Sequence, residues 1–362
     1  MNVLVNHQQL NSALRVVEKM VSRNVSLPIL NTVLLKTENG RLRLSATNLE
    51  MGINYWLSAK INQEGEIAVP ARVFSDFIGN IYDEKVNISA AKNIVAINSE
   101  NYQTQILGME TRDFPLIPKM RNAIQFKIQS ASLKEAIAGV FESSALSETR
   151  PEISGIFVNI QKNKAEFAAT DSFRLAEKII DLEEGIEKSI ILPRGAALEL
   201  LRIAESSGEV LTVAISDNQI FVLGADFEFI SRLIDGRYPE YKRIIPEKFV
   251  SLARVNKNEF ERNIRLASVF SSSISDIKLK AEKNVIQLTA RNSDRGEIAA
   301  TLPCVLKDLP FEIAVNYNYL LDGLKIIPTE NVIMQFTGDG SPLVLRGEER
   351  KDHTYLIMPL RA

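Results

Sequence analysis

Cysteine is almost missing. Cys304 is the only one in 362 residues, which excludes an intrachain disulfide and a cysteine-based metal cage and fits a reducing compartment. Histidine is nearly as scarce: His7 and His353 stand at opposite ends of the chain, a poor start for a multi-histidine metal site or a histidine-dependent triad. No run free of charged residues reaches the ~18 needed to span a bilayer, and MNVLVNHQQL lacks the basic and apolar sections of a signal peptide. A cytoplasmic protein with no membrane partner is the expectation. Charge of one sign is missing too, since 43 basic against 45 acidic residues leave a net charge of −2, unlike a strongly basic nucleic-acid-binding domain. If DNA is a partner, the basic residues must be concentrated on one surface. GDGSP at 338–342 lacks the lysine and spacing of a phosphate loop, and no GxGxxG or HExxH string occurs. The expectation is a chain without metal or cofactor, with most hydrolase and metalloenzyme mechanisms disfavoured.

What is present is a globular balance, 45% hydrophobic and 24% charged, in a chain too long for one ordinary core of about 100–150 residues. The chain also repeats itself. IAVPARVFSDFI at 67–78, IILPRGAALELL at 190–201 and IAVNYNYLLDGL at 313–324 each read as a strand leading into a helix, with Pro70, Pro193 and Asn316 spaced by 123 residues. Proline and asparagine both suit a helix start. Upstream, NHQQLNSALRVVEKM, SASLKEAIAGVF and NKNEFERNIRLASVF each carry one apolar stripe at helical spacing, beginning at Leu10, Leu133 and Phe260. Turn pairs Asn39-Gly40, Asn163-Lys164 and Lys283-Asn284 follow, flanked by alternation that predicts hairpins. A third set, at Lys92-Asn93, Asp217-Asn218 and Gly338-Asp339-Gly340, belongs to closing meanders.

Three copies of helix, hairpin, strand-helix and meander therefore fill residues 1–121, 122–247 and 248–362. The proline-broken connectors RDFPLIPKM and RYPEYKRIIPEK close the first two. One apolar stripe per helix covers one side only, so the fold class is α+β, with two helices per repeat packed on antiparallel sheet. An enzyme is the first rival reading, with Asp171 of ATDSFR as a carboxylate catalyst. The position recurs as Asn48 in SATNLE and Asn292 in TARNSD, which favours a turn residue. A three-repeat scaffold that never touches DNA is the second rival.

SLPILNTVLL at 26–35, SATNLEMGI at 45–53, VPARVFSDFI at 69–78, ATDSFRLAEK at 169–178, LIDGRYPEYKRIIP at 233–246 and the terminal MPLRA together resemble the bacterial DNA polymerase III beta subunits, the sliding clamps, from end to end. The resemblance implies three DNA-clamp domains and a head-to-tail homodimer whose six domains encircle duplex DNA without sequence preference. It also implies no chemistry, only a mobile tether that makes a polymerase processive. Encirclement replaces affinity with topology, so weak phosphate contacts suffice and a near-neutral charge is acceptable. By this likeness Lys19, Arg23, Arg72, Arg150, Arg194 and Arg265 contact DNA, although an arginine on an amphipathic helix is ordinarily part of a solvated face.

The same likeness implies that the polymerase III alpha subunit, the clamp-loader delta subunit, and other polymerases and repair proteins insert a peptide, roughly Gln-Leu-x-Leu-Phe, between the second and third repeats. The matching positions are Ile153, Thr170, Ser172, Phe173, Arg174, Leu175, Pro239, Arg243 and Ile244. From the third repeat come Ile274, Asn316, Tyr319, Pro342, Leu356, Met358, Pro359, Leu360 and Arg361. Alternating Leu175, Ile244, Leu356 and Met358 would by themselves read as core. Relatives frequently carry Gly-His where this chain has Ser172-Phe173, and Phe173 is expected to narrow the slot. For the dimer, the likeness pairs an edge around Val73, Thr104 and Ile106 with a region around Ser268, Val269 and Asp294, extending a sheet across the boundary.

Overall fold

The computed structural model of the chain describes residues 1–21, 27–147, 149–207 and 210–360. Six helices of eight or more residues occur among them, two per repeat and in matching order. Helix His7–Val17 buries Leu10, Ala13, Leu14 and Val17, the i, i+3, i+4, i+7 stripe of one face, and helix Lys257–Ser268 buries Phe260, Ile264 and Ala267 in the same way. Both begin at an asparagine whose side chain accepts from the third backbone N–H beyond it: Asn6 from Gln9 and Asn256 from Glu259, each at 3.1 Å. Asn316 caps helix Tyr317–Ile326 by accepting from Asn318 N at 2.9 Å. Pro70 precedes its helix with non-helical φ and ψ, so proline ends the strand here rather than filling the first helical turn.

Each repeat also contains a short strand before its first helix: Asn2–Asn6, Ile124–Gln129 and Ser251–Asn256. Two of the three hairpin turns fall as the sequence indicates; in the second repeat Lys164 already opens strand Lys164–Thr170, so the turn lies one residue earlier, at Lys162-Asn163, closed by Gln161 N donating to Lys164 O at 2.8 Å. Asn39 and Gly40, at φ 48° and 75°, and Lys283 and Asn284, at 53° and 60°, hold the left-handed backbone of a two-residue turn.

By contact the chain divides into two compact units that do not follow the three repeats. The first, Met1–Ala131 with Leu198–Leu233, contains a twelve-stranded antiparallel sheet. Within it strand Phe227–Arg232, from the second repeat, pairs with Met51–Gln63, from the first. The second unit, Ser132–Ala197 with Ile234–Ala362, contains a nine-stranded and a four-stranded antiparallel sheet. In its larger sheet, strand Arg174–Asp181 pairs with His353–Ile357, placing Leu175 opposite Leu356. Gly323 on helix Tyr317–Ile326 permits close approach to that strand: a Cβ there would come within 2.5 Å of the Tyr355 ring.

Candidate functional site

Most of the residues assigned to the peptide site lie in the second unit around the end of the Arg174–Asp181 and His353–Ile357 ladder. Asp171 shapes the loop before it. Its Oδ1 accepts from Phe173 N at 2.9 Å and from Arg174 N at 3.0 Å, while the Thr170 hydroxyl donates to Arg174 O at 2.7 Å and accepts from Ser172 N at 3.2 Å. Ser172 takes a φ of 79°. The chain then leaves Phe173 projecting into solvent, 60% exposed, with its carbonyl accepting from Met358 N at 2.8 Å. Beyond Met358, Leu360 N donates to Ala314 O at 2.8 Å, so the tail through Met358, Pro359 and Leu360 is tied at two points and half-buried.

Arg174 is the polar centre. Its Nε donates to Asp171 Oδ2 at 3.0 Å, its Nη1 donates to Asp322, and its guanidinium lies 4.6 Å from the centroid of the Tyr319 ring. Burial costs the charge, but Tyr355, Asp322 and Asp171 outweigh that cost and hold Arg174 protonated above its ordinary range. Asn316 Nδ2 donates to Ile274 O at 3.4 Å, bringing the exposed Ile274 to the start of the helix that carries Tyr319. Pro342 precedes strand Leu343–Gly347, whose Leu343 stands opposite Ile357.

A further edge is formed by the connector carrying exposed Pro239, Arg243 and Ile244, with Arg243 paired to Glu240 at 2.6 Å. Beneath it Tyr241 donates to Glu177 at 2.7 Å, and Lys242 reaches the buried Glu166 at 2.6 Å. Burial works against ionisation of Glu166, yet Lys164, Lys242 and Asn159 bring it down to about 2.

Five residues assigned to the slot differ sharply in exposure. Ile153, Leu175 and Leu356 are fully buried, packed with Tyr238, Tyr241 and Val344, and Met358 rests against this cluster. They are the floor of the surface rather than its open lining, because the residues on one strand face that look towards the aromatic connector are covered by it. Thr170 is buried and serves the loop. Phe173 is a projecting, exposed ring.

The cations differ among themselves. Arg72 and Arg150 are exposed; Arg72 lies 3.6 Å from Asp76, and Arg150 Nη2 donates to Ser172 Oγ at 2.6 Å. Arg265 is exposed and holds Glu261 through two nitrogens, at 2.6 and 3.1 Å. Lys19 is exposed, and its charge partly offsets the burial that raises Glu199. Arg194 departs from the expectation. Its guanidinium lies 4.0 Å from the Phe141 ring centroid and donates to Phe141 O at 2.6 Å and to the Ser144 hydroxyl, committing it to the 141–144 segment. Arg23 and Arg361 lie outside the described residues.

Of the interface residues, Val73 and Val269 are exposed, as is Asp294, whereas Thr104 and Ser268 are half-buried. Ile106 is buried: its side chain turns into its own core, and strand Gln103–Leu107 exposes Gln103, Gln105 and Leu107 instead. Asp322, Asp171, Tyr238 and Tyr241 are site-building residues that were not singled out for this role. Asp171 is signalled by its spacing three residues before Arg174, but Asp322 lies 148 positions away and has no local signal.

Two cavities in the first unit, of about 630 and 210 Å³, flank the connector at 111–120 and are lined by none of the residues assigned from sequence. Among the described residues no group of three or more His, Cys, Asp or Glu could hold a metal ion, and no helix is long and apolar enough to cross a membrane.

Comparison with known proteins matches three family models in succession. They are the DNA polymerase III beta subunit N-terminal domain over residues 1–118, its central domain over 127–240 and its C-terminal domain over 242–361. The beta sliding clamp of Synechocystis sp. is 26% identical over 388 residues, covering 100% of this chain and 99% of that one. That of Staphylococcus epidermidis is 27% identical over 366 residues, covering 98% and 96%. Among solved structures, the DNA polymerase III beta subunit of Thermotoga maritima superposes with a TM-score of 0.95 at 26% identity, covering 100% of this chain and 99% of that one. A Pseudomonas aeruginosa sliding clamp bound to griselimycin superposes at 0.96 with 24% identity and full coverage of both chains.

Proposed function

Because the chain belongs to the DNA polymerase III beta subunit family, the sliding clamps, we propose that two copies close head to tail around duplex DNA and tether replication proteins by a short peptide. Like its relatives, it is a non-catalytic accessory subunit of DNA polymerase III. Asp171 fits that role, since its carboxylate closes a turn as Asn48 and Asn292 do in the other repeats.

The ring reading is supported by two open sheet edges. Strand Gln103–Leu107 ends the sheet of the first unit and Gly296–Pro303 ends the four-stranded sheet of the second. A head-to-tail contact would pair such edges through their backbones, which does not require Ile106 to face outward. Val73, Val269, Ser268 and Asp294 would flank the contact. Lys19, Arg72, Arg150 and Arg265 are the proposed backbone contacts to DNA, with Arg194 held in its own loop. The domain limits 1–121, 122–247 and 248–362 and a cytoplasmic location belong to the same proposal.

One observation carries the peptide site: the backbone bond from Met358 to Phe173, which sets an apolar tail beside a projecting aromatic ring and the Arg174–Tyr319 pair. Phe173, Ile244, Ile274, Met358 and Leu360 supply apolar contact, with Arg174 and Asn316 as polar edges. The polymerase alpha subunit, the loader delta subunit and other polymerases and repair proteins are the proposed occupants. A labelled Gln-Leu-Ser-Leu-Phe peptide should bind saturably. The affinity should fall by about tenfold or more when Met358→Ala is combined with deletion of residues 359–362, since an apolar anchor contributes roughly 1.5–3 kcal/mol. Equal binding by both proteins would remove the assignment.

A further inference from the structure

The loop that presents Phe173 has a counterpart one repeat earlier. A shift of 123 residues carries Thr170, Asp171, Ser172 and Phe173 onto Thr47, Asn48, Leu49 and Glu50. Asn48 Oδ1 accepts from Glu50 N and Met51 N at 3.0 and 2.8 Å, as Asp171 does from Phe173 and Arg174. The Thr47 hydroxyl donates to Met51 O at 2.8 Å and accepts from Leu49 N at 3.0 Å, reproducing Thr170. Leu49 holds a φ of 76° where Ser172 holds 79°. Arg232 N donates to Glu50 O at 2.9 Å where Met358 N donates to Phe173 O at 2.8 Å. The strand pairs agree too, with Gly52 opposite Ile230 as Leu175 is opposite Leu356.

At this counterpart there is open space. The cavity of about 210 Å³ is lined by Leu49, Met51 and Ile230 on one side and by Leu116 and Ile117 of the proline-broken connector on the other. It is smaller than the roughly 300 Å³ at which small-molecule sites begin, so it suits one or two aliphatic side chains delivered by a larger partner. Glu50 and Arg232 are its charged lining residues, and their backbones are joined by one hydrogen bond. Glu50 offers an acceptor and Arg232 a donor to the same cavity, a set complementary to a primary amide, whose NH2 donates to a carboxylate and whose carbonyl accepts from a guanidinium.

We propose that this cavity is a second docking site for a linear partner peptide, one that presents a glutamine or asparagine amide beside a leucine-like side chain. The proposal rests on reading the Phe173–Met358 surface as a peptide site. The two sites differ in polarity, with Glu50 in place of Phe173, Met51 in place of Arg174 and Arg232 in place of Met358. The second site is therefore the weaker and the more sensitive to salt.

Calorimetric titration of the full chain with Gln-Leu-Ser-Leu-Phe tests this. The wild type should show two binding events per chain. The double variant Glu50→Lys with Leu116→Ser changes exposed positions only and should weaken the second event by about tenfold or more. Phe173→Ala with Met358→Ala should weaken only the first. A peptide with a photoreactive benzophenone in place of its phenylalanine should label residues 115–118 in the wild type.

A single event abolished by Phe173→Ala with Met358→Ala and untouched by Glu50→Lys with Leu116→Ser would overturn the second site while leaving the first. A single event abolished only by Glu50→Lys with Leu116→Ser would support the second and remove the first. The absence of any binding would overturn both.

Discussion

Glu166 shows how one buried side chain supports the proposed surface. Its carboxylate receives Lys164 at 2.7 Å and Lys242 at 2.6 Å, and Lys242 belongs to the turn that presents Arg243 and Ile244. Because Glu166 titrates at about 2 in the fold against an ordinary 4.5, its contribution to stability is complete above about 4.5 and is lost as pH falls towards 2. Glu166→Gln should flatten the acid limb of the stability profile in that window, measured by urea unfolding at stepped pH. An unchanged acid limb would show that Glu166 does not anchor the connector. At this scale the sequence was informative where partners are close in the chain, as for Asp171 and its turn. It was silent where they are remote: nothing in YNYLLDGL indicates that Asp322 binds Arg174. The commitment of Arg194 to Phe141 and Ser144 also joins residues remote in sequence, so the likeness that placed it on DNA gave no sign of it.

Elements were more legible than residues, because periodicity survives without knowledge of partners. The stripe Leu10, Ala13, Leu14, Val17 and the Asn39-Gly40 turn follow from spacing and backbone preference alone. The strands before the first helices, NVLVN, IQFKIQ and SLARVN, were not read because five or six alternating residues running directly into a helix offer no turn to mark a boundary. Alternation alone read Leu175 and Leu356, on strands Arg174–Asp181 and His353–Ile357, as core, which their burial matches; it was the family likeness that assigned them to the slot. Packing of helix Tyr317–Ile326 on the second of these strands depends on Gly323. Gly323→Ala should cost about 1–3 kcal/mol of stability by crowding Tyr355, and should weaken the peptide by shifting the strand that leads to Met358. Calorimetric unfolding and peptide titration of the variant measure both effects. Wild-type values in both would refute the close approach.

For the whole molecule, the repeat of 123 residues revealed three copies of one motif, whereas contact groups the chain into two units because sheets join strands from neighbouring repeats. Periodicity reports the duplicated unit but not the pairing between units, since each pairing depends on edges far apart in sequence. The proposed dimer uses two further edges. Val269→Asp, at an exposed position, should halve the solution mass measured by light scattering from about twice 40.5 kDa to about one chain. Retention of the doubled mass would move the interface elsewhere.

The central claim is topological, and retention on DNA tests it most directly. The protein is loaded onto a nicked circular duplex by a clamp-loading complex with ATP, then passed through a large-pore column in salt high enough to remove simple phosphate binding. A closed ring should stay with the circle and be released when one cut linearises it, because the ends let it slide off. Equal retention before and after the cut, or loss from the intact circle, would contradict the account.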